Sequence, residues 1–212
     1  MLDEKKYGEP VHALVPIMSF IRRSFHKECA DIEDIMAFSN YFHQKPITLW
    51  SHFIFTIPFT LGILLSLEGL VGLVFNYSWL VHLGLVWWIF CTMFVLSVDV
   101  RSTWVLSIQM LVTYILSLYI TSKYPIGTAS LVLCSFAILF FDGIVLLGLG
   151  HYATEKSTPA FSPFEAVLIT PYYVSLRTVY MDLFGYKPEW KKEILKRSTS
   201  ERWEKYVRAR FD

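Results

Sequence analysis

Six histidines are the residues of this chain best suited to chemistry: His12, His26, His43, His52, His82 and His151. A neutral imidazole offers a lone pair to a borderline metal, and three imidazoles with a carboxylate suit Fe(II) or Zn(II). No HExxH, HxxxH or HxxHH run sets two of them on one helix. His43 and His52 are nine residues apart with Pro46 between them, so only a bend can unite them. Glu155 follows His151 by four residues, which puts both on one face of a continuing helix. Asp142, inside the apolar run LFFDGIV, is a candidate of another kind, because an ionisable group within such a run is functional by default. Counted at 3.6 residues per turn it lies about half a revolution from His151 and is expected to point away from it. Cys29, Cys91 and Cys134 form no CxxC pair, and the last two sit in apolar runs as small hydrophobes.

What must position these groups is a membrane domain. Apolar residues make up 54% of the 212 and charged residues only 17%, against about 25% charged in an average soluble domain. Disorder, a coiled coil and a disulfide scaffold are excluded, and a net charge of +1 gives no case for a nucleic-acid partner. Residues 1–46 hold six Lys/Arg and residues 187–212 hold nine, whereas the 140 between hold four: Arg101, Lys123, Lys156 and Arg177. A span needs about 20 mainly apolar residues. Four stretches qualify: residues 49–67, 79–98, 104–122 and 129–150, with Trp50, Trp79 and Trp104 at their starts as interface anchors. Glu68 with Asn76, Asp99 with Arg101, and Lys123 with Pro125 mark the breaks. No apolar leader precedes the first span, which is expected to act as the signal anchor.

Four spans place both basic ends on one side, and the positive-inside rule makes that side cytosolic. The loop at 68–78 has no Lys or Arg and that at 123–128 only Lys123, as the far side requires. His43, His52 and His151 then share the cytosolic membrane face, and His82 lies across about 30 Å of hydrocarbon from them. The expected fold is therefore all-α: a polytopic bundle of about four transmembrane helices with interfacial or re-entrant helices. It divides into a cytosolic helical segment (1–46), the membrane domain with its metal site (47–186), and a basic amphipathic tail (187–212). Residues 31–45 read as a helix capped by Asp31 and ended by Pro46, and the stretch from Leu14 to Phe25 has similar apolar spacing. Residues 160–186, with Pro163 and Pro171, read as a re-entrant or interfacial helix pair rather than a fifth span. The tail, with Trp190, Ile194, Trp203, Val207 and Phe211, suits either an anionic leaflet or packing on the domain.

Two stretches carry a resemblance. One is Tyr41-Phe42-His43-Gln44-Lys45-Pro46, continuing to Trp50-Ser51-His52-Phe53-Ile54 and Pro58. The other is Gly150-His151, Glu155-Lys156, Pro159-Ala160 and Thr170-Pro171-Tyr172-Tyr173. Together they resemble the endoplasmic reticulum 2-hydroxy fatty acid dioxygenases known from fungi, small multi-span proteins of fatty acid α-oxidation and phytosphingosine breakdown. His43, His52, Gly150, His151, Glu155, Pro159 and Ala160 fit that family's pattern. The resemblance implies Fe(II) held by His43, His52 and His151, with O2 and a long-chain 2-hydroxy fatty acid as substrates and the acid one carbon shorter as product. Glu155 would orient an imidazole or serve as a fourth ligand, and Lys156 would attract the substrate carboxylate. The chain departs from the family at Gln44, Thr48 and Arg177. Those departures keep a non-catalytic scaffold or inactive member as an alternative, and Asp142 with the proline-interrupted segment keeps a small transporter as another. A di-iron desaturase is excluded, since scattered histidines supply no histidine boxes.

Overall fold

The computed structural model describes residues 8–75, 83–156 and 165–205. All regular structure among them is helical, with no strand. After a short 3-10 turn (His12–Leu14) come α1 (Val15–Phe25), α2 (Ile32–Phe42), α3 (Pro46–Phe75), α4 (Leu83–Leu96), α5 (Thr103–Lys123) and α6 (Ala129–Gly143). The last continues without a break into a π-wound stretch, Ile144–Glu155. A further helical run joins Glu165–Ile169 (π), α7 (Thr170–Ser175) and Leu176–Leu183 (π), and α8 (Pro188–Ser198) follows.

Among the described residues, three helices are long and apolar enough to cross a membrane: Pro46–Val74, Thr103–Lys123 and Ala129–Glu155. The fourth expected span is represented by α4, 14 residues long, and its expected start, with Trp79 and His82, lies outside the described residues. Glu68 does not break the first span. Helix α3 runs on to Phe75 and buries Glu68 completely. A buried glutamate costs less in a bundle interior than an interrupted hydrogen-bond ladder would cost in hydrocarbon.

Glycines set the α3–α6 contact. A Cβ on Gly62 would come within 2.8 Å of Leu139, and one on Gly69 within 2.9 Å of Val132. The antiparallel backbones therefore approach as closely as small residues permit. Outward positions are bare and apolar, with Leu133 70% and Phe140 73% exposed, as a lipid-facing surface requires.

The other end of the bundle carries a cap built from α1, α2, the 165–183 run and α8. Asp31 caps α2 as expected, its side chain accepting the Asp34 amide at 2.9 Å. The 165–183 residues form one continuous helical run rather than a broken pair, with Pro171 inside it at the junction of the π and α windings. That run buries Leu168, Tyr172, Tyr173 and Val174 in the main core. Pro163 lies outside the described residues, as do Pro159 and Ala160. Of the two readings of the tail, packing applies: Trp190, Ile194 and Trp203 are all buried in the cap core, so they face protein and not lipid. Val207 and Phe211 lie outside the described residues.

Candidate metal centre

His43 ends α2. It is the C-cap residue, and the bend before Pro46 that the spacing demanded follows it directly. His52 comes from the second turn of α3 and His151 from the π stretch. Three separate elements thus deliver three imidazoles to one place. Their ring centroids lie 4.5 Å (His43–His52), 5.0 Å (His43–His151) and 5.1 Å (His52–His151) apart, each pair edge to face. One ring nitrogen from each lies within 4.8 Å of the others. An ion about 2.1 Å from each nitrogen requires separations of no more than about 4.2 Å, which small side-chain rotations supply.

The hydrogen bonds decide which nitrogens face inward. His43 Nδ1 donates to the Ser39 carbonyl at 2.7 Å, and His52 Nδ1 donates to the Thr48 carbonyl at 2.9 Å. A carbonyl can only accept, so each Nδ1 carries the proton and each Nε2 keeps its lone pair. This backbone-fixed tautomer is the usual arrangement behind a metal-ligating histidine. Burial, then the neighbouring His52 and His151, hold the His43 imidazole well below the usual histidine range, so it is neutral at pH 7. Nδ1 of His151 is buried with no hydrogen-bond partner among the described residues. The donor set fits a borderline divalent ion, Fe(II) included.

Supporting contacts fix the geometry. Thr48 Oγ1 donates to the Gly150 carbonyl at 3.0 Å, locking the first turn of α3 to the residue before His151. Gly150 itself must be small, since a Cβ there would meet His52 Cε1 at 3.2 Å. The Lys45 amide donates to Glu155 Oε1 at 2.6 Å, so Glu155 joins the end of the π stretch to the start of α3. Glu155 acts on the site through this backbone contact and is not one of the three grouped donors. Lys156, exposed and left-handed at φ 54°, ends the π stretch outside the cavity lining.

The histidines close one end of a cavity of about 160 Å³. Thr56, Phe59, Leu146 and Leu147 form apolar walls, and Glu165, Ala166, Thr170 and Pro171 close the cap side. Glu165 is a buried carboxyl in that wall which the sequence did not single out. Its only signal was an acidic residue in a segment of ambiguous role. Of the positions where the chain departs from the resembled family, Thr48 is used as described and Gln44 is exposed, bonding the Tyr41 carbonyl. Arg177 pairs with Asp182 at 2.9 Å and bonds Asn40, within the cap.

The expected separation of Asp142 from His151 is corrected by the π winding. Bonds that reach five residues rather than four make a wider turn. Nine residues then complete close to two turns, where an α-helix makes about two and a half. Asp142, Leu146 and His151 are accordingly all buried on the same side of the helix. Asp142 is two turns deeper than His151 and does not join the three-histidine group.

No protein-family model matches the chain, and neither does any curated protein or solved structure.

Proposed function

We propose that this protein is an integral membrane dioxygenase that uses Fe(II) and O2 to convert a long-chain 2-hydroxy fatty acid to the acid one carbon shorter. The observation that carries the reading is the convergence of the His43, His52 and His151 nitrogens at the head of an apolar cavity. The resemblance in sequence supplies the reaction class. The stoichiometry needs no other reductant: RCH(OH)COOH + O2 gives RCOOH + CO2 + H2O, with the C1–C2 bond broken and the substrate supplying all four electrons. Iron held by the three histidines would supply open coordination positions for O2 and for the carboxylate and hydroxyl of the substrate.

The chain's own residues do the rest. The Ser39 and Thr48 carbonyls keep His43 and His52 in the ligating tautomer. Glu155 and Thr48 hold the bend at residue 45, the first turns of α3 and the π stretch in register. Phe59, Leu146 and Leu147 exclude water from the reacting carbons and guide the chain. Glu165 is the carboxyl in the wall able to hold a proton released there. Lys156 attracts the acid's carboxylate towards the mouth. In this reading four spans put both basic termini in the cytosol and the protein in the endoplasmic reticulum, so a wet head and an oily tail meet the site at the interface.

The test is turnover. Protein purified in detergent is loaded anaerobically with Fe(II), then given 2-hydroxypalmitic acid and air, and the shortened acid is sought by mass spectrometry. Product that vanishes with chelator and with His151→Ala establishes reaction and site together. Bound iron without product keeps the metal centre and discards the reaction. Neither iron nor product makes the protein a membrane scaffold.

A further inference from the structure

Beside the cavity below the histidines, the α3–α6 seam holds a second apolar space. It begins at the adjoining residues, lined by Phe55, Pro58, Cys134, Ala137, Phe141 and Asp142. The two share consecutive positions on both helices: Phe55 beside Thr56, Pro58 beside Phe59, and Asp142 beside Gly143. Consecutive helix positions lie at nearly the same depth and face different ways, so the two hollows lie side by side on the α3–α6 seam. Where Gly62 meets Leu139 the helices close together. The Phe55 and Phe141 rings, 6.2 Å apart, stand at the outer side.

One feature of this groove is out of keeping with a plain hydrocarbon slot. Asp142 is fully buried, and neither of its carboxyl oxygens has a hydrogen-bond partner among the described residues. An unsatisfied carboxyl within a span is costly. Pro58, in the same groove, has no N–H for the Ile54 carbonyl, so an acceptor on α3 also lacks its helical partner. A carboxyl without a partner, in the same groove as a helical carbonyl that lacks its N–H, is matched by a group that both donates and accepts, and a hydroxyl does both. An ammonium would require a bare ion pair in hydrocarbon, which is much costlier.

We propose that the α3–α6 groove takes the hydrocarbon chain of the ligand, and that Asp142 hydrogen-bonds a hydroxyl carried part-way along that chain. This rests on the reading that the ligand's head lies at the histidines. The preferred ligand is then a chain-hydroxylated fatty acid, polar at its head and once more in mid-chain. A site built to bond a hydroxyl disfavours the analogue lacking it, because its own polar atoms are then left unpaired.

Full-length protein in nanodiscs, without added metal, is labelled with a long-chain 2-hydroxy acid bearing a mid-chain diazirine. The label is expected on residues 55–58 and 134–142. Competitors are 2-hydroxypalmitic acid and a series with one further hydroxyl walked along the chain. One position is expected to compete about tenfold better than the plain acid. Asp142→Leu abolishes that preference, and Asp142→Asn, which still donates and accepts, retains most of it. Label elsewhere, no preferred position, or a preference that survives Asp142→Leu overturns the proposal. Because no turnover is involved, the groove can stand where the dioxygenase assay fails, and it can fall where shortened acid is made.

Discussion

The cap and the membrane bundle differ in how they treat their most buried aspartates and the polar groups around them. In the cap, Asp34 accepts the Ala30 amide at 2.9 Å and ion pairs from Arg197 at 3.0 Å and Arg202 at 2.6 Å. Asn40 donates to Ser198 Oγ at 2.8 Å and accepts from the Tyr173 hydroxyl and Arg177. In the bundle, Asp142, Glu68, Thr60 and Ser66 are buried with side-chain oxygens that have no partner. A paired polar network fixes one packing and leaves nothing for a ligand. Unpaired polar groups beside a cavity are where a ligand restores what folding left unmade. The histidines lie on the border between the two. The Nδ1 atoms of His43 and His52 are held in the cap's manner by backbone carbonyls, which leaves each Nε2 its lone pair, while His151 Nδ1 is unpartnered in the bundle's manner.

The sharpest way to break this contrast is at the border. His151→Ala is expected to weaken Fe(II) or Zn(II) binding by more than about 100-fold, since changes merely behind a ligand cost 10–100-fold. Thermal unfolding of the metal-free protein should shift little, as His151 Nδ1 has no hydrogen-bond partner among the described residues. Retained metal stoichiometry would remove His151 from the centre. Next comes the cap. Asp34→Ala leaves Arg202 and the Ala30 amide without their acceptor, while Arg197 keeps Asp31 and Glu193. Breaking a buried pair costs about 3–5 kcal/mol, and the partial exposure of Arg197 and Arg202 lowers the expected loss here to about 2–3 kcal/mol. Unfolding in detergent measures it, and metal affinity should not change. Gly62→Val forces the α3–α6 seam apart against Leu139, at a cost of about 1–3 kcal/mol for overpacking. Glu155→Gln tests the tether. Gln keeps an acceptor for the Lys45 amide but weakens a charge-assisted bond, so metal affinity should fall about tenfold or less.

What the sequence made legible follows the same border. His43, His52 and His151 could be grouped because span length and Lys/Arg placement decide which membrane face a residue occupies, whatever the local winding. Facing around a helix was not legible. The π turns of residues 144–155 redirect Asp142, and no pattern of residue types announced them. Glu68 was misplaced because a charged residue looks like a loop until its burial is known. Glu165 was passed over because most of the residues that share its cavity come from elements far away in sequence. The tail was undecided because a Trp/Ile face suits lipid and protein equally, and α2 settled it by covering Trp190 and Ile194.

The smallest expected effect tests the cap's side of the contrast, and its sign is the point. Glu33 and Asp34 are neighbours on α2, yet their carboxyls move in opposite directions. For Asp34, burial favours the neutral acid, but Arg202, the Ala30 amide and Arg197 overcome it and hold the carboxyl below the ordinary value of 3.8. For Glu33 burial wins. It accepts Trp190 Nε1 at 3.0 Å on one oxygen and has no partner on the other, so its carboxyl lies above the ordinary 4.5. A depressed carboxyl stabilises the fold above its unfolded value, and that contribution is lost as pH falls through the folded value. A raised one stabilises at low pH, and that contribution is lost as pH rises from 4.5 through the folded value. Asp34→Asn should therefore destabilise at pH 7, with the deficit shrinking in acid. Glu33→Gln keeps an acceptor for Trp190 and removes a charge that is poorly paired. It should raise stability at pH 7 by no more than about 1 kcal/mol, with the gain vanishing below pH 4.5. Unfolding midpoints of the two variants at pH 4 and pH 7 measure both signs. A Glu33→Gln variant less stable than wild type at pH 7 would show that an unpaired carboxyl sits within the cap at no cost, and the contrast between cap and bundle would fail on its own side.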